Sequence, residues 1–430
     1  MTDPRPKAAG MRGGSTAQLM GSTALGQLLG LAIAPILGRW LGPAAFGAFG
    51  VYLAVLGSLG GAASWRLGLA VPVPMREEDA SAVLAAGVLA TLLSTVVITI
   101  AVALVGSHAA NAWLDAPDAA PLLWLIPASI LGVGLTDVLS GWCLRHREFP
   151  ALVRQRVVRA VGTSGWQFVH ALVLRSGAWP LVWGEVIGRL ASVTAMARLI
   201  WRREGQRLRA LRWAEIRAAF ASQREFVAVA TPAHLLNQLG QWVPVFLLAS
   251  WWGPAAAGLY VVGQRVIGIP IGLIGDSAGQ VYIADLAERA RVAPARMRPL
   301  FRETVLSLGR LAALTAVVLI LLGPIGFALG FGAEWRDAGR MVRWQGIALA
   351  AQLVAIPMAH TLVVLRFQRR QLVWDILRLI ATVAGFTWAR VAGWDAVGAV
   401  AVHGVLGAVL YGGLTYASWR AVRARADASA

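Results

Sequence analysis

The residues that could do chemistry in this chain stand apart from one another, and their spacing first excludes whole classes of function. The six histidines (His108, His146, His170, His234, His360 and His403) share no metal-ligand spacing, and no glycine-rich phosphate loop follows a strand pattern. Cys143 is the only cysteine, which excludes an intrachain disulfide and a cysteine-rich metal centre. No nucleophile, base or paired-carboxylate arrangement emerges, so the chain is read as a non-enzyme with no resident cofactor or metal.

What remains is a set of charges and amides inside apolar stretches. A charge at the centre of a membrane span costs about 2.5–3.5 kcal/mol on insertion scales, so one kept there faces a cavity or a partner. Arg265 lies among Gly263, Gln264, Gly268, Pro270 and Gly272. Helices interrupted by Gly and Pro are where transporters unwind to bind substrate, and the arginine fork suits a phosphate or a sugar acid. The alternative is an ion pair with Asp276, three turns along the same face. Glu185 and Arg189 are spaced to pair across one turn. Arg310 and Arg378 lie near the ends of their stretches, where snorkelling is expected, and Arg66 follows Trp65 at the end of another. Amides cluster as Asn237, Gln238 and Gln241 beside His234 and Pro244, with Gln27 and Gln280 elsewhere. In lipid such groups either bridge helices or line water. Coupling to sodium or a proton would fall to Asp137, Glu185 or Asp276, none of which stands in a recognisable ion-site pattern.

The elements that must position these residues are membrane helices. Hydrophobic residues make up 58% of the 430 positions and charged residues 14%, with a mean hydropathy of +0.65. Soluble domains carry about 25% charged residues. Apolar stretches of about 20 residues, the length that crosses the hydrocarbon, are expected at 16–38, 44–64, 81–105, 122–143, 157–174, 179–201, 226–250, 255–278, 303–330, 341–364, 371–390 and 396–419. The fifth includes Arg159, Gln167 and His170 and is expected to be tilted or cavity-lining. The first lacks a signal-peptide layout and is expected to be retained.

The net charge is +18, and Lys7 is the only lysine. With the N-terminus inside, and residues in the end turns of a span counted with the side they adjoin, 29 of the 39 basic residues fall on the cytoplasmic side, six outside and four well within spans. Topology therefore accounts for a charge that on a soluble protein would indicate nucleic acid. The expected organisation is a cytoplasmic segment 1–15, a six-helix half 16–201, a basic linker 202–225, a second half 226–420 and a cytoplasmic tail 421–430. In the linker, Leu208, Leu211, Ile216 and Phe220 recur at helical spacing opposite arginines, the pattern of an interfacial helix at the inner leaflet.

The halves are related. RWLGPAAFGAFGVY (39–52) matches SWWGPAAAGLYVVG (250–263) at an offset of 211, and 14 of 37 positions from Leu25 to Gly61 are identical to Leu236 to Gly272. An even number of spans per half makes the repeats parallel. At the positions of Arg265 and Asp276 the first half has Ala54 and Trp65, so these charges are not part of the shared scaffold.

At these residues the sequence resembles the polysaccharide flippases of the MOP superfamily, relatives of the MATE exporters and of the lipid II flippase. The likeness rests on WLGPAAFGAFGVYLAV (40–55), WRLGLAVPVP (65–74) and YVVGQRVIGIPIGLIGDSAGQVYIADLAE (260–288). It departs after Arg66, where Leu67 and Gly68 replace the acidic residue frequent in the family. The resemblance implies an all-α bacterial plasma-membrane protein of about twelve helices, N-in and C-in. It would move a polyprenyl-diphosphate-linked oligosaccharide by alternating access for O-antigen or exopolysaccharide biosynthesis. Arg66 and Arg265 would then meet the anionic headgroup, and Gln27, Asn237, Gln238, Gln241, Gln264 and Gln280 the sugar. Partners would be the lipid-linked oligosaccharide, membrane lipids and a polymerase or glycosyltransferases, and no nucleic acid. Two alternatives stay open: a MATE-like exporter of small molecules, and a non-transporting membrane partner of a polysaccharide synthase.

Overall fold

The computed structural model describes residues 9–106, 120–175, 177–365 and 367–427, with side chains except at 9–20, 105, 106, 120, 269, 270, 273, 276, 363 and 368. Among the described residues there are fourteen α-helices: α1 (Ala9–Gly60), α2 (Leu67–Ala70), α3 (Glu77–Ala101), α4 (Ala120–Leu123), α5 (Ile126–Arg145), α6 (Phe149–Val173), α7 (Trp179–Ala210), α8 (Trp213–Ser222), α9 (Thr231–Trp252), α10 (Pro254–Val292), α11 (Met297–Phe331), α12 (Arg336–Val364), α13 (Gln368–Val391) and α14 (Ala396–Asp427). No strand occurs among them. By length and composition, seven helical stretches among the described residues are apolar enough to cross a membrane, one of which, Gly21–Gly60, covers two expected spans. Large apolar side chains are exposed along them, such as Val96, Val97 and Ile100 of α3 and Leu321, Leu322 and Ile325 of α11. The chain is a multi-pass, all-α membrane protein.

Two compact units divide the chain. Unit 1 comprises 1–41 and 51–242, and unit 2 comprises 42–50 and 243–430. In unit 1, α6 lies along α7 and α5 packs between α3 and α7. The polar side of α6 turns inward: Gln167 donates to the Leu181 carbonyl at 2.9 Å and Gln155 to Ser192 at 3.4 Å. The last turns of α7 and all of α8 close one end of this unit. Leu208, Leu211, Ile216 and Phe220 pack on a buried cluster that includes Trp142, Met196 and Ile200. The apolar stripe of the expected interfacial helix thus covers protein, while Trp213 stays exposed. Arg145, at the end of α5, ties down the turn between α2 and α3. Its guanidinium donates to the Pro74 carbonyl at 2.5 Å and to Glu77 at 2.9 Å, and that bond holds the Glu77 carboxyl below its usual range. Arg145→Ala is expected to cost about 1–3 kcal/mol and to speed hydrogen exchange at Val73, whose amide donates to the Ala70 carbonyl. Unchanged exchange there would refute the tie.

In unit 2, α12 packs against α10, α11 and α14, and α13 against α14. The repeated motif acquires a physical reason here. Gly42 and Gly253, its paired glycines, adopt nearly the same backbone, φ 73° and ψ 171° against φ 87° and ψ 164°. The following glycines seat each copy on the other. A Cβ on Gly47 would lie 1.8 Å from the Pro254 carbonyl oxygen, and one on Gly258 would lie 2.1 Å from that of Pro43. Only glycine permits this reciprocal backbone contact. One expectation is corrected: α10 does not unwind around Gly263–Gly272 but is helical from Pro254 to Val292. Its packing on α12 outweighs the cost of about 1 kcal/mol per glycine.

Candidate functional site

The irregular backbone is in unit 1, directly after α1. There Trp65 and Arg66 both occupy the left-handed region, at φ 52° and 58°. Such residues cost about 1–3 kcal/mol each and persist only where their surroundings hold them. Trp65 is held by a bond from its indole nitrogen to Ser94 at 3.1 Å and by the Phe220 ring at 5.5 Å. Ser64 donates to the Asp137 carboxylate at 2.5 Å. Asp137, on α5, crowds the start of α2, where a Cβ on Gly68 would lie 2.4 Å from its Oδ2. Asp137 thus lies against the turn that carries Arg66, touching the residues on either side of it.

Arg66 itself is half-buried, and its guanidinium makes no hydrogen bond or ion pair among the described residues. Beside it runs the polar face of α9. His234 packs on Gly61, where a Cβ would lie 2.1 Å from Nε2, and feels the charges of both Arg66 and Asp137. One turn on, Gln238 donates to the Gly57 carbonyl at 3.2 Å. Gln241 donates to Asn237 at 3.1 Å and to Gln238 at 3.4 Å. The result is a strip of amides along the end of α1, leading to a cation. Gln27, earlier on α1, joins none of these bonds, and its buried Oε1 has no partner among the described residues.

A second cluster in unit 1 is ionic. Glu185 on α7 pairs with Arg189 one turn on and with Arg159 of α6 at 3.2 Å. Its carboxylate is nearly buried, as is the guanidinium of Arg189, whereas Arg159 is 41% exposed. Tyr52 donates to Ser129 at 2.6 Å nearby.

In unit 2 the candidates are more dispersed. Gln264 donates to the Tyr260 hydroxyl at 3.1 Å, Arg265 is half-buried and Gln280 is exposed. The side chain of Asp276 lies outside the described residues, and with it the alternative reading of Arg265 as its ion-pair partner. Arg378 corrects the snorkelling expectation. Its side chain is only 15% exposed, 3.8 Å from Asp375 and 5.1 Å from the centre of the Trp374 ring. An inward acid one turn away holds it more strongly than the interface would. The Asp375/Arg378 spacing is visible in the sequence, as is His234 beside the amides of α9, whereas Ser64 and Arg159 join their clusters only through long-range packing.

The family of polysaccharide biosynthesis proteins matches residues 36–340. The chain belongs to this family. Among curated proteins none matches the sequence. Among solved structures, the chain is similar to an inward-facing multidrug resistance MATE transporter of the MOP superfamily, with TM-score 0.73, 15% identity, and coverage of 94% of this chain and 96% of the other. It is similar to the lipid II flippase MurJ in an inward closed conformation, with TM-score 0.71, 11% identity and coverage of 93% and 87%. It is also similar to a MOP superfamily transporter from Pyrococcus furiosus Vc1 with a reversed binding-pocket polarity, with TM-score 0.66, 15% identity and coverage of 96% of both chains. The fold is thus that of MOP superfamily transporters. The family match contains Arg66, Asp137, Glu185, the α9 strip and Arg265. The Asp375–Arg378 cluster lies beyond it.

Proposed function

We propose that this polysaccharide biosynthesis protein is a flippase that carries a polyprenyl-diphosphate-linked oligosaccharide from the inner to the outer leaflet of the bacterial plasma membrane. The observation that carries the reading is Arg66, a half-buried cation without an ion-pair partner among the described residues, held on strained backbone at the end of an amide strip. A diphosphate fits the planar guanidinium fork, and sugar hydroxyls fit Asn237, Gln238 and Gln241. Arg265 and Gln264 carry the same proposal on α10, with Gln27 and Gln280 as further sugar contacts.

Such transport breaks no bond. It requires neutralising the headgroup and hydrating the sugar while the lipid tail stays in the bilayer. Coupling to a proton or sodium ion falls to an acid with charge to spare. Glu185 faces two guanidiniums, whereas Asp137 has a hydroxyl donor and an imidazole beside it, so Asp137 is the better proposal.

Vesicles containing the purified protein and a fluorescent lipid-linked sugar test this reading. The label is expected to become accessible to a membrane-impermeant quencher from the opposite leaflet. Labelled lipid that stays put under an imposed proton or sodium gradient would support a small-molecule exporter or a synthase partner instead.

A further inference from the structure

Unit 2 contains a cavity of about 790 Å³ that plays no part in the transport proposal. Three segments meet there: the last turns of α10, the turn from α12 to α13, and the last turn of α14. The arginine distribution assigns all three to the cytoplasmic side. The floor is carbon, built from Ala287, Ala290, Val364, Leu365 and Phe367. The rim carries two guanidiniums, Arg291 and Arg425, and no acid is among the described residues that line the cavity. A third cation, Arg370, stands over the Phe367 ring at 4.5 Å.

This combination selects its ligand class. A soluble anion needs the guanidiniums but gains nothing from the carbon floor. An uncharged acyl chain needs the floor but not the guanidiniums. Both together suit an amphiphile with an anionic head, and at the cytoplasmic ends of spans the inner leaflet supplies one. We propose that this cavity binds an anionic glycerophospholipid, its phosphate on Arg291 and Arg425 and the first methylenes of one chain over Leu365 and Phe367. The start of α13 at Gln368, which has no side-chain cap, adds to the positive potential, but the cavity and its arginines carry the proposal. A lipid seated there joins three segments and stabilises unit 2 by mass action.

The test uses the full chain in detergent, titrated with phosphatidylglycerol, with phosphatidylcholine of the same chains, or with inorganic phosphate. Each variant is read against its own lipid-free Tm. Phosphatidylglycerol alone is expected to raise Tm in a saturable way. Arg291→Gln with Arg425→Gln is expected to weaken the apparent affinity about 30-fold, at about a fivefold loss per arginine. Ala290→Trp, which fills the floor and keeps the arginines, is expected to abolish the shift, and it decides the matter if the arginine variant misfolds. Retention of the wild-type response by Ala290→Trp overturns the proposal, as does an equal shift with phosphatidylcholine or with phosphate alone.

Discussion

Arg66→Ala is expected to abolish the proposed movement of lipid-linked sugar while the protein remains in the membrane at its normal level. Two charge-assisted bonds to a diphosphate, at about 1.5–3 kcal/mol each, correspond to a loss of at least a hundredfold. Arg66→Lys keeps the charge without the fork and is expected to fall between. The backbone supplies a control. Position 66 sits at φ 58°, where glycine is at ease and other residues are strained, so Arg66→Gly should be at least as stable as the wild type and still inactive. Surface polysaccharide at wild-type levels in cells carrying Arg66→Gly would eliminate the headgroup role. A loss confined to Arg66→Ala, with the glycine variant active, would point to backbone geometry instead.

The parts of this molecule that were legible in the sequence are those set by local composition or by duplication. Span positions follow from apolar length, and the pairing of Gly42 with Gly253 in the repeat reappears as a shared backbone conformation. What stayed hidden depends on contacts distant in sequence. Asp137 reaches Ser64 from 73 residues away, and no spacing rule marks that approach. The Gly and Pro residues in the middle of α10 are the types that announce irregular backbone, yet that helix is unbroken. The strained turn occurs instead at Trp65–Arg66, where tertiary partners enforce a conformation that neither residue favours. The charge of Arg159 argues for a tilted or cavity-lining span, and that charge is answered by Glu185 on the neighbouring helix.

Glu185→Gln is expected to destabilise unit 1 by about 3–5 kcal/mol, because removing one partner of a buried pair leaves the other uncompensated. The loss falls mainly on Arg189, whose guanidinium is nearly buried; Arg159 is 41% exposed and can turn toward solvent. Glu185→Leu with Arg189→Leu removes both buried charges and should recover most of the stability, since a buried pair replaced by apolar residues of similar volume is frequently neutral. Denaturation in detergent and the amount of protein in the membrane measure both effects. Transport then separates structure from coupling. If the cluster only holds α6 to α7, the double variant transports normally; a stable double variant that no longer responds to an imposed ion gradient would move the coupling role from Asp137 to Glu185.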